Sequence, residues 1–316
     1  MGTSKNKALE DIAPIALFCY KRVGTLKRTV ESLKANLHAA ESILYIYSDG
    51  PKDDKDAGKV DKVREYIEGI GGFKKVHIKK SAENKGLAAS IVHGVTEVLD
   101  LHGKVIVVED DLVLSRYFLD YMNQALARYQ RSPKVMHVAG YLWPIRGQLP
   151  ETFFLRNANC WGWGTWKRAW DKLELDPEKL VVNIKGQGLT AKFDFEGSRP
   201  NMEMLEKRAK GQLDSWAILW YASVFLDKGL GLFPGRSLVS NIGFGADSAH
   251  NRNLLNRGIA QPKLAERPIR LDDIIIEENM LARKRLIEVW KRQNKKRRYY
   301  NTMKHLLEKI TWQKER

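Results

Sequence analysis

The chain has 316 residues, of which 43% are hydrophobic and 29% are charged, and these proportions exclude a disordered protein. Its two cysteines, Cys19 and Cys160, allow at most one disulfide bond and have no metal-ligand spacing, which excludes a disulfide-stapled fold. We therefore expect a reducing, cytoplasmic environment, and the amino terminus lacks the apolar stretch of a signal peptide. The net charge of +16 is uneven, because residues 281–316 carry 13 Lys or Arg against three Glu, a net of +10.

The first 130 residues alternate short apolar runs with segments of helical periodicity. The runs at 14–20, 43–47, 76–78 and 104–108 have the length and composition of strands. Between them, apolar residues recur at helical spacing near 24–37, 60–70 and 87–103, and Ser115 is a suitable cap for a further helix. This alternation predicts an α/β fold with a parallel sheet and helices on both faces.

The pattern changes beyond Pro133. Aromatic residues and glycines dominate 141–170, and a polar helix is expected from about 201. The uncharged run 215–226 is only 12 residues long, too short for a bilayer and typical of a buried helix. The segment 229–250 looks rich in turns, and the chain from 272 onward looks mostly helical.

Polar residues follow three of the predicted strands directly. They are Lys21 and Arg22, then Asp49, and then the run Glu109–Asp110–Asp111. Because ligands of such sheets gather at the carboxyl ends of the strands, these side chains are the first candidates for a site.

The three consecutive acids are unfavourable beside an apolar strand unless a cation or hydrogen-bond donors compensate them. A divalent ion such as Mg²⁺ or Mn²⁺ would do so, because both prefer carboxylate oxygens. Two simpler interpretations stay open, namely a solvated acidic turn and a cap formed by Asp110 or Asp111 on the next helix.

Over about residues 13–250 the chain resembles the GT-A glycosyltransferases, especially family 2 and the N-acetylglucosaminyltransferase-I-like enzymes. The resemblance rests on the order of four motifs: Tyr20-Lys21-Arg22, Ser48-Asp49-Gly50, Glu83-Asn84-Lys85-Gly86 and the DXD-type Glu109-Asp110-Asp111. It implies a GT-A fold, in which a Rossmann-like nucleotide-binding sheet adjoins an acceptor-binding half. We expect a nucleotide-sugar-binding half at 1–140, an acceptor and catalytic half at 141–262, and a connector with a basic helical tail at 263–316.

The resemblance also implies roles for residues of the first half. Asp49 would contact the base or ribose, and Asp111 would be the main metal ligand. The other residues expected to bind the nucleotide sugar are Tyr20, Arg22, Asn84, Lys85, Glu109 and Asp110. Simpler roles stay open: Asp49 as a turn residue, 84–86 as a loop before a helix, and Arg22 as the partner of a neighbouring carboxylate.

In the second half, Trp161, Gly162, Trp163 and Gly164 resemble the family's loop between donor and acceptor, although a tryptophan-rich core turn would look the same. By the same resemblance, Asp214 is the catalytic base, with a helix cap as its alternative role. His250 would reach the metal or diphosphate, unless it is a solvent-exposed loop histidine. The reserve candidates for the base are Asp194, Glu196 and Asp247.

The function implied is an inverting, metal-dependent transfer of a sugar from a nucleoside-diphosphate sugar, expected to be a UDP-sugar, to a hydroxyl of a glycan or lipid-linked acceptor. Mn²⁺ or Mg²⁺ would be the cofactor, and polysaccharide biosynthesis would be the setting. A sugar nucleotidyltransferase ranks low because the early glycine-rich loop is missing. A non-enzymatic protein that binds membranes or nucleic acids is the alternative from a different class.

Basic residues of 281–316 are interleaved with aromatic and aliphatic ones. This composition suits an anionic membrane surface, which would place the protein on the inner face of the membrane. Nucleic-acid binding and a solvated helix with no partner stay open, and nucleic acid is the least expected of the three.

Overall fold

The computed structural model describes residues 11–145, 147–243 and 261–314, and side chains of the last helix are described mainly as far as residue 296. Its centre is an eight-stranded sheet with the order β3-β2-β1-β4-β8-β6-β9-β7, and β5 pairs with β10 in a separate two-stranded sheet. The strands are β1 (Ile15–Cys19), β2 (Ile43–Ser48), β3 (Lys75–Lys80), β4 (Lys104–Glu109), β5 (Leu112–Leu114), β6 (Val135–Ala139), β7 (Thr152–Leu155), β8 (Trp163–Trp166), β9 (Leu230–Pro234) and β10 (Val239–Asn241).

Helices cover the sheet, and the described ones follow the strands in regular alternation as far as β4. They are α1 (Val23–Lys34), α2 (Asp54–Glu68), α3 (Leu87–His102), α4 (Phe118–Arg128), α5 (Lys167–Trp170), α6 (Pro177–Gly186), α7 (Thr190–Phe193), α8 (Asn201–Ala209), α9 (Trp216–Leu226) and α10 (Met280–Lys314). The expected α/β fold class is confirmed.

Four parallel strands, β3-β2-β1-β4, form the half of the sheet that the sequence predicts best. Strands β1 and β4 are buried and apolar, apart from the charged residues at the two ends of β4, Lys104 and Glu109. A strand that is covered on both faces has to be apolar throughout, so a short unbroken apolar run is sufficient to predict it.

The other half of the sheet contains antiparallel pairs, which the alternation in the first 130 residues does not predict. Strand β8 lies between β4 and β6 and is antiparallel to both, and β7 is antiparallel to β9. The stretch expected to consist of turns after 229 contains two strands, β9 and β10. These pairings join segments that are distant in sequence, and so local periodicity does not reveal them.

Two predicted helix ends can be checked directly. Gly103 ends α3 as expected, with a left-handed φ of +73° and an amide that donates to Leu99 O. The Ser115 cap is wrong, because α4 begins only at Phe118 and the Ser115 hydroxyl donates instead to Ala265 O, at 2.6 Å.

The basic tail begins as part of the folded body. Helix α10 is 35 residues long, and its residues Ala282, Leu286 and Trp290 are buried against the rest of the chain. Past Trp290, the side chains of Lys291, Arg292, Lys295 and Lys296 are exposed. None of the helices in the described part of the chain combines the length and the apolar character needed to span a membrane.

Candidate functional site

The acidic run at the end of β4 is compensated by an arginine at the end of β1. Arg22 Nη2 donates to Asp110 Oδ1 at 2.5 Å and to Asp111 Oδ2 at 2.9 Å. The Tyr20 amide donates to Asp110 Oδ2 at 3.3 Å. Of the two roles considered for Arg22, the structure thus shows the pairing with a neighbouring carboxylate.

The parallel sheet creates this pairing. Strands β1 and β4 are neighbours in register, with Phe18 opposite Glu109, so the residues after both strands meet at one edge. Backbone from the far end of the fold closes the site, because Ile242 N donates to Asp111 O. A Cβ on Gly243 would lie 2.1 Å from Asp111 Oδ2, so any other residue there would have to displace the Asp111 carboxylate.

Burial raises the pKa of the first two residues of the acidic run. Removal from water, reinforced by Asp111 and Asp110, raises the pKa of Glu109 to about 8. Removal from water also raises the pKa of Asp110 to about 6, although Arg22 opposes that rise. Negative charge is therefore costly at this edge, and one guanidinium offsets only part of that cost.

Asp49 fixes the loop that precedes α3. Its Oδ1 accepts from the amides of Gly50 and Lys85, both at 2.9 Å, and its Oδ2 accepts from Asn84 Nδ2 at 3.1 Å and from the Gly86 amide at 3.0 Å. The expected proximity of Asp49, Asn84 and Lys85 is thus observed, but the Asp49 carboxylate already holds four donors of its own chain.

A cavity of 290 Å³ brings residues of both halves together. Glu109 from the end of β4, Trp161 and Asp214 all line it. Asp214 Oδ2 also lies 3.6 Å from the point where a Cβ on Gly86 would be, next to the loop that Asp49 holds. Two carboxylates and the expected nucleotide loop thus lie around one opening.

Asp214 does not cap α9. The residue at the cap position is Ser215, whose side chain makes no capping bond. The Asp214 side chain is 58% exposed and pairs with Arg208 Nη1 at 3.1 Å, so it remains accessible to a ligand. A groove of 730 Å³ over α3 is lined by Asp214 together with Lys85 and Arg208.

The expected glycine–tryptophan loop is divided by the fold. Trp161 lines the cavity, and Gly162 has a left-handed φ of +60°. Trp163 and Gly164 instead lie in β8, and the Trp163 indole is fully buried against His137, Trp216 and Trp220. The expectation that these two residues face a sugar is therefore wrong, because hydrogen bonds to β4 and β6 draw them into the sheet.

A buried histidine supports this loop, although the sequence gives no sign of it. Trp220 Nε1 donates to His137 Nδ1 at 3.2 Å, which leaves His137 Nε2 to donate to Asn159 O at 2.9 Å. Asn159 in turn accepts the Trp161 amide through Oδ1. Burial lowers the pKa of His137 to about 3, so the ring is neutral and its tautomer is set by these partners.

The reserve candidates for a base are used elsewhere or lie outside the described residues. Asp194 accepts from the Met202 amide at 2.7 Å, and Glu196 pairs with Arg283 at 2.8 Å. Asp247 and His250 fall within 244–260, outside the described residues. Of the carboxylates considered for the base, Asp214 is the described one that lines the cavity.

The residues at the acidic edge fit a divalent ion only in part. Within 11–145, 147–243 and 261–314, no group of three or more His, Cys, Asp or Glu could hold a metal ion. Asp111 offers a carboxylate of the right chemistry, but its Oδ2 is bonded to Arg22. An ion here would need further oxygen ligands from a bound diphosphate.

No protein-family model and no curated protein matches the chain. Among solved structures, it is similar to a mannosyltransferase from Pyrobaculum calidifontis in complex with GDP-Man and Mn²⁺, with 9% identity and a TM-score of 0.39 over 69% of this chain and 71% of that one. It is also similar to S. aureus TarS 1–349, with 8% identity and a TM-score of 0.41 over 73% of this chain and 61% of that one. A longer TarS structure matches at 9% identity and a TM-score of 0.39 over 73% of this chain, which spans only 37% of it.

Proposed function

We propose that the chain is a glycosyltransferase that takes a sugar from a nucleoside-diphosphate sugar and transfers it to a hydroxyl group. The observation that carries this proposal is the cavity in which Asp214, Glu109 and Trp161 meet beside the loop held by Asp49. The order of motifs in the sequence supports the same class. A UDP-linked hexose or N-acetylhexosamine is the donor that we expect.

Asp214 would act as the base. Its exposed carboxylate can accept the proton of an acceptor hydroxyl, while the oxygen of that hydroxyl attacks the anomeric carbon and the sugar–diphosphate bond breaks on the opposite face. The configuration at the anomeric carbon is inverted by such a displacement. The ion pair with Arg208 would keep the carboxylate turned toward the cavity mouth.

Arg22 and Asp111 would act on the diphosphate side. A Mn²⁺ or Mg²⁺ ion held by Asp111, with His250 as a further proposed ligand, would neutralise the negative charge that grows on the departing diphosphate. Arg22 lies within hydrogen-bond distance of the same carboxylate and can contribute positive charge next to it. Tyr20, Asn84 and Lys85 remain the proposed contacts of the nucleotide.

Isothermal titration calorimetry with UDP and GDP, each with and without Mn²⁺, tests the proposal. We expect one of the nucleotides to bind, and to bind more tightly with Mn²⁺ than after EDTA treatment. Asp111→Asn should abolish the increase in nucleotide affinity that Mn²⁺ produces. Asp53→Asn, at the cap of α2, should leave that increase unchanged. If neither nucleotide binds, the alternative of a non-enzymatic binding protein gains support.

An anionic membrane surface is the proposed partner of the tail. The proposal is supported by the exposed positive charges Lys291, Arg292, Lys295 and Lys296, each worth about 1 kcal/mol near such a surface. Replacing all four by Gln leaves the buried part of α10 intact, unlike a truncation of residues 281–316. The full-length variant should sediment less with phosphatidylserine vesicles, and equal sedimentation would contradict the proposal.

A further inference from the structure

Helix α10 contributes a wall to the cavity that holds Asp214. Trp290 lines it together with Trp143, Trp161 and Trp216, so four indoles surround the same space. Trp290 is 2% exposed. Its ring makes T-shaped contacts with Trp143, at a centroid distance of 5.2 Å, and with Phe195, at a centroid distance of 4.9 Å. This close packing fixes the indole in place.

The Trp290 indole N–H is a buried donor that has no acceptor among the residues that the structure describes. An unpaired buried donor is unfavourable, so a ligand that supplies an acceptor oxygen would stabilise this arrangement. Three asparagines also line the cavity, Asn157, Asn159 and Asn201. Indole rings combined with amide groups suit a ligand that has apolar C–H faces and several hydroxyl groups.

The charges around the cavity separate two possible occupants. The lining includes two carboxyl groups, those of Glu109 and Asp214, and one guanidinium, that of Arg199. A diphosphate would have a single guanidinium to pair with, next to the Asp214 carboxylate, whereas a neutral polyol can hydrogen-bond to the carboxyl and amide groups without a charged partner. The volume of 290 Å³ lies at the low end of ligand pockets, about 300–1,000 Å³, and therefore suits about one ring.

We propose that this cavity is the acceptor subsite, that it binds a single neutral pyranose ring, and that Trp290 donates its indole N–H to a hydroxyl oxygen of that ring. This proposal rests on the proposed function, because it places the acceptor hydroxyl beside Asp214. It also gives the first three turns of α10 a direct role in acceptor specificity, separate from any role of the basic residues that follow.

The test is a nitrogen-15 NMR titration of the full chain with methyl glycosides of glucose, galactose, mannose and N-acetylglucosamine. The indole N–H signals report on each tryptophan, and the loss of one signal in Trp290→Phe assigns the residue of interest. We expect one glycoside to shift the Trp290 signal in a saturable manner. In Trp290→Phe, binding of that glycoside should be about tenfold weaker.

Two further variants keep the test decisive. Trp143→Phe, on another wall of the cavity, should weaken binding as well, which covers the case that Trp290→Phe folds poorly. Trp166→Phe is the matched control, because Trp166 is equally buried but lies outside the cavity and donates to Leu126 O. It should leave glycoside binding unchanged.

The outcomes separate this inference from the proposed function. If a nucleotide binds but no glycoside shifts the Trp290 signal, the acceptor subsite is wrong and the proposed function stands. If a glycoside binds at Trp290 but no nucleotide binds, the saccharide site stands and the transferase assignment fails. If Trp166→Phe weakened glycoside binding as much as Trp290→Phe does, the proposed acceptor subsite would also be wrong.

Discussion

The two polar regions of the molecule are built in opposite ways. At the acidic edge, Asp49 accepts four hydrogen bonds from its own chain, and Arg22 spans Asp110 and Asp111. In the cavity, Asp214 is more than half exposed and the buried Trp290 N–H has no partner among the described residues. The polar groups of the first region are paired with one another in the absence of a ligand. The second region has polar groups that are exposed or unpaired and can therefore bind a ligand. Substitutions at the edge should therefore affect folding as well as nucleotide binding, whereas substitutions in the cavity should affect mainly binding or turnover.

The largest effect on stability is expected from Arg22→Met. It leaves the carboxylates of Asp110 and Asp111 without their cation, and breaking a buried pair of this kind costs about 3 kcal/mol of unfolding free energy. Arg28→Met, at an exposed position of α1, the helix that follows Arg22, should change that free energy by less than about 0.5 kcal/mol. Urea denaturation measures both variants, and equal effects would contradict the contrast between the two regions.

Two glycine substitutions distinguish the cost of a strained backbone from the cost of steric crowding at the turn into β8. Gly162 and Gly188 both have left-handed φ values, +60° and +65°. A Cβ at Gly162 would lie 2.7 Å from Val239 Cγ2, whereas one at Gly188 would meet nothing within 4 Å. We expect Gly188→Ala to cost about 1 kcal/mol and Gly162→Ala to cost about 2–3 kcal/mol by thermal denaturation. Equal losses would show that the backbone near Trp161 can relax.

An effect that is smaller per unit of pH concerns stability in acid. The unfolded state takes up a proton near the ordinary histidine pKa of 6.5, but buried His137 does not do so until about pH 3. His137 therefore lowers the unfolding free energy as the pH falls through this window, by about 1.4 kcal/mol per pH unit. His137→Gln should flatten the dependence, while Trp166→Phe should lower stability without changing the slope. An unchanged slope in His137→Gln would show that other groups dominate.

The sequence predicts the parallel half of the sheet because three of its four strands, β1, β2 and β4, contain local apolar runs. It also places Asp49, Glu109 and Asp214 correctly relative to their neighbouring strands and helices. It cannot predict partners that only the fold brings together. Arg22 and Asp110 are 88 positions apart, and Trp290 reaches the cavity from a segment whose composition suggests only a basic tail.

Trp163 is a second residue whose surroundings the sequence does not predict. A glycine–tryptophan repeat is compatible with a ligand loop and with a strand, since both use glycine for close approach of the backbone. Residues 163–166 form a strand because both β4 and β6 pair with them. Local sequence does not encode these long-range pairings. Trp161, two positions earlier, stays at the cavity because it precedes the strand.

The most direct test of the central claim, that the cavity at Asp214 is where the transfer occurs, compares Asp214→Asn with Asp227→Asn at the other end of α9. Release of nucleoside diphosphate from the donor identified by calorimetry is measured with a glycoside acceptor, alongside donor affinity. We expect Asp214→Asn to lower turnover by about 10²–10⁴-fold with donor affinity retained, and Asp227→Asn to change neither. Undiminished turnover in Asp214→Asn would contradict the account.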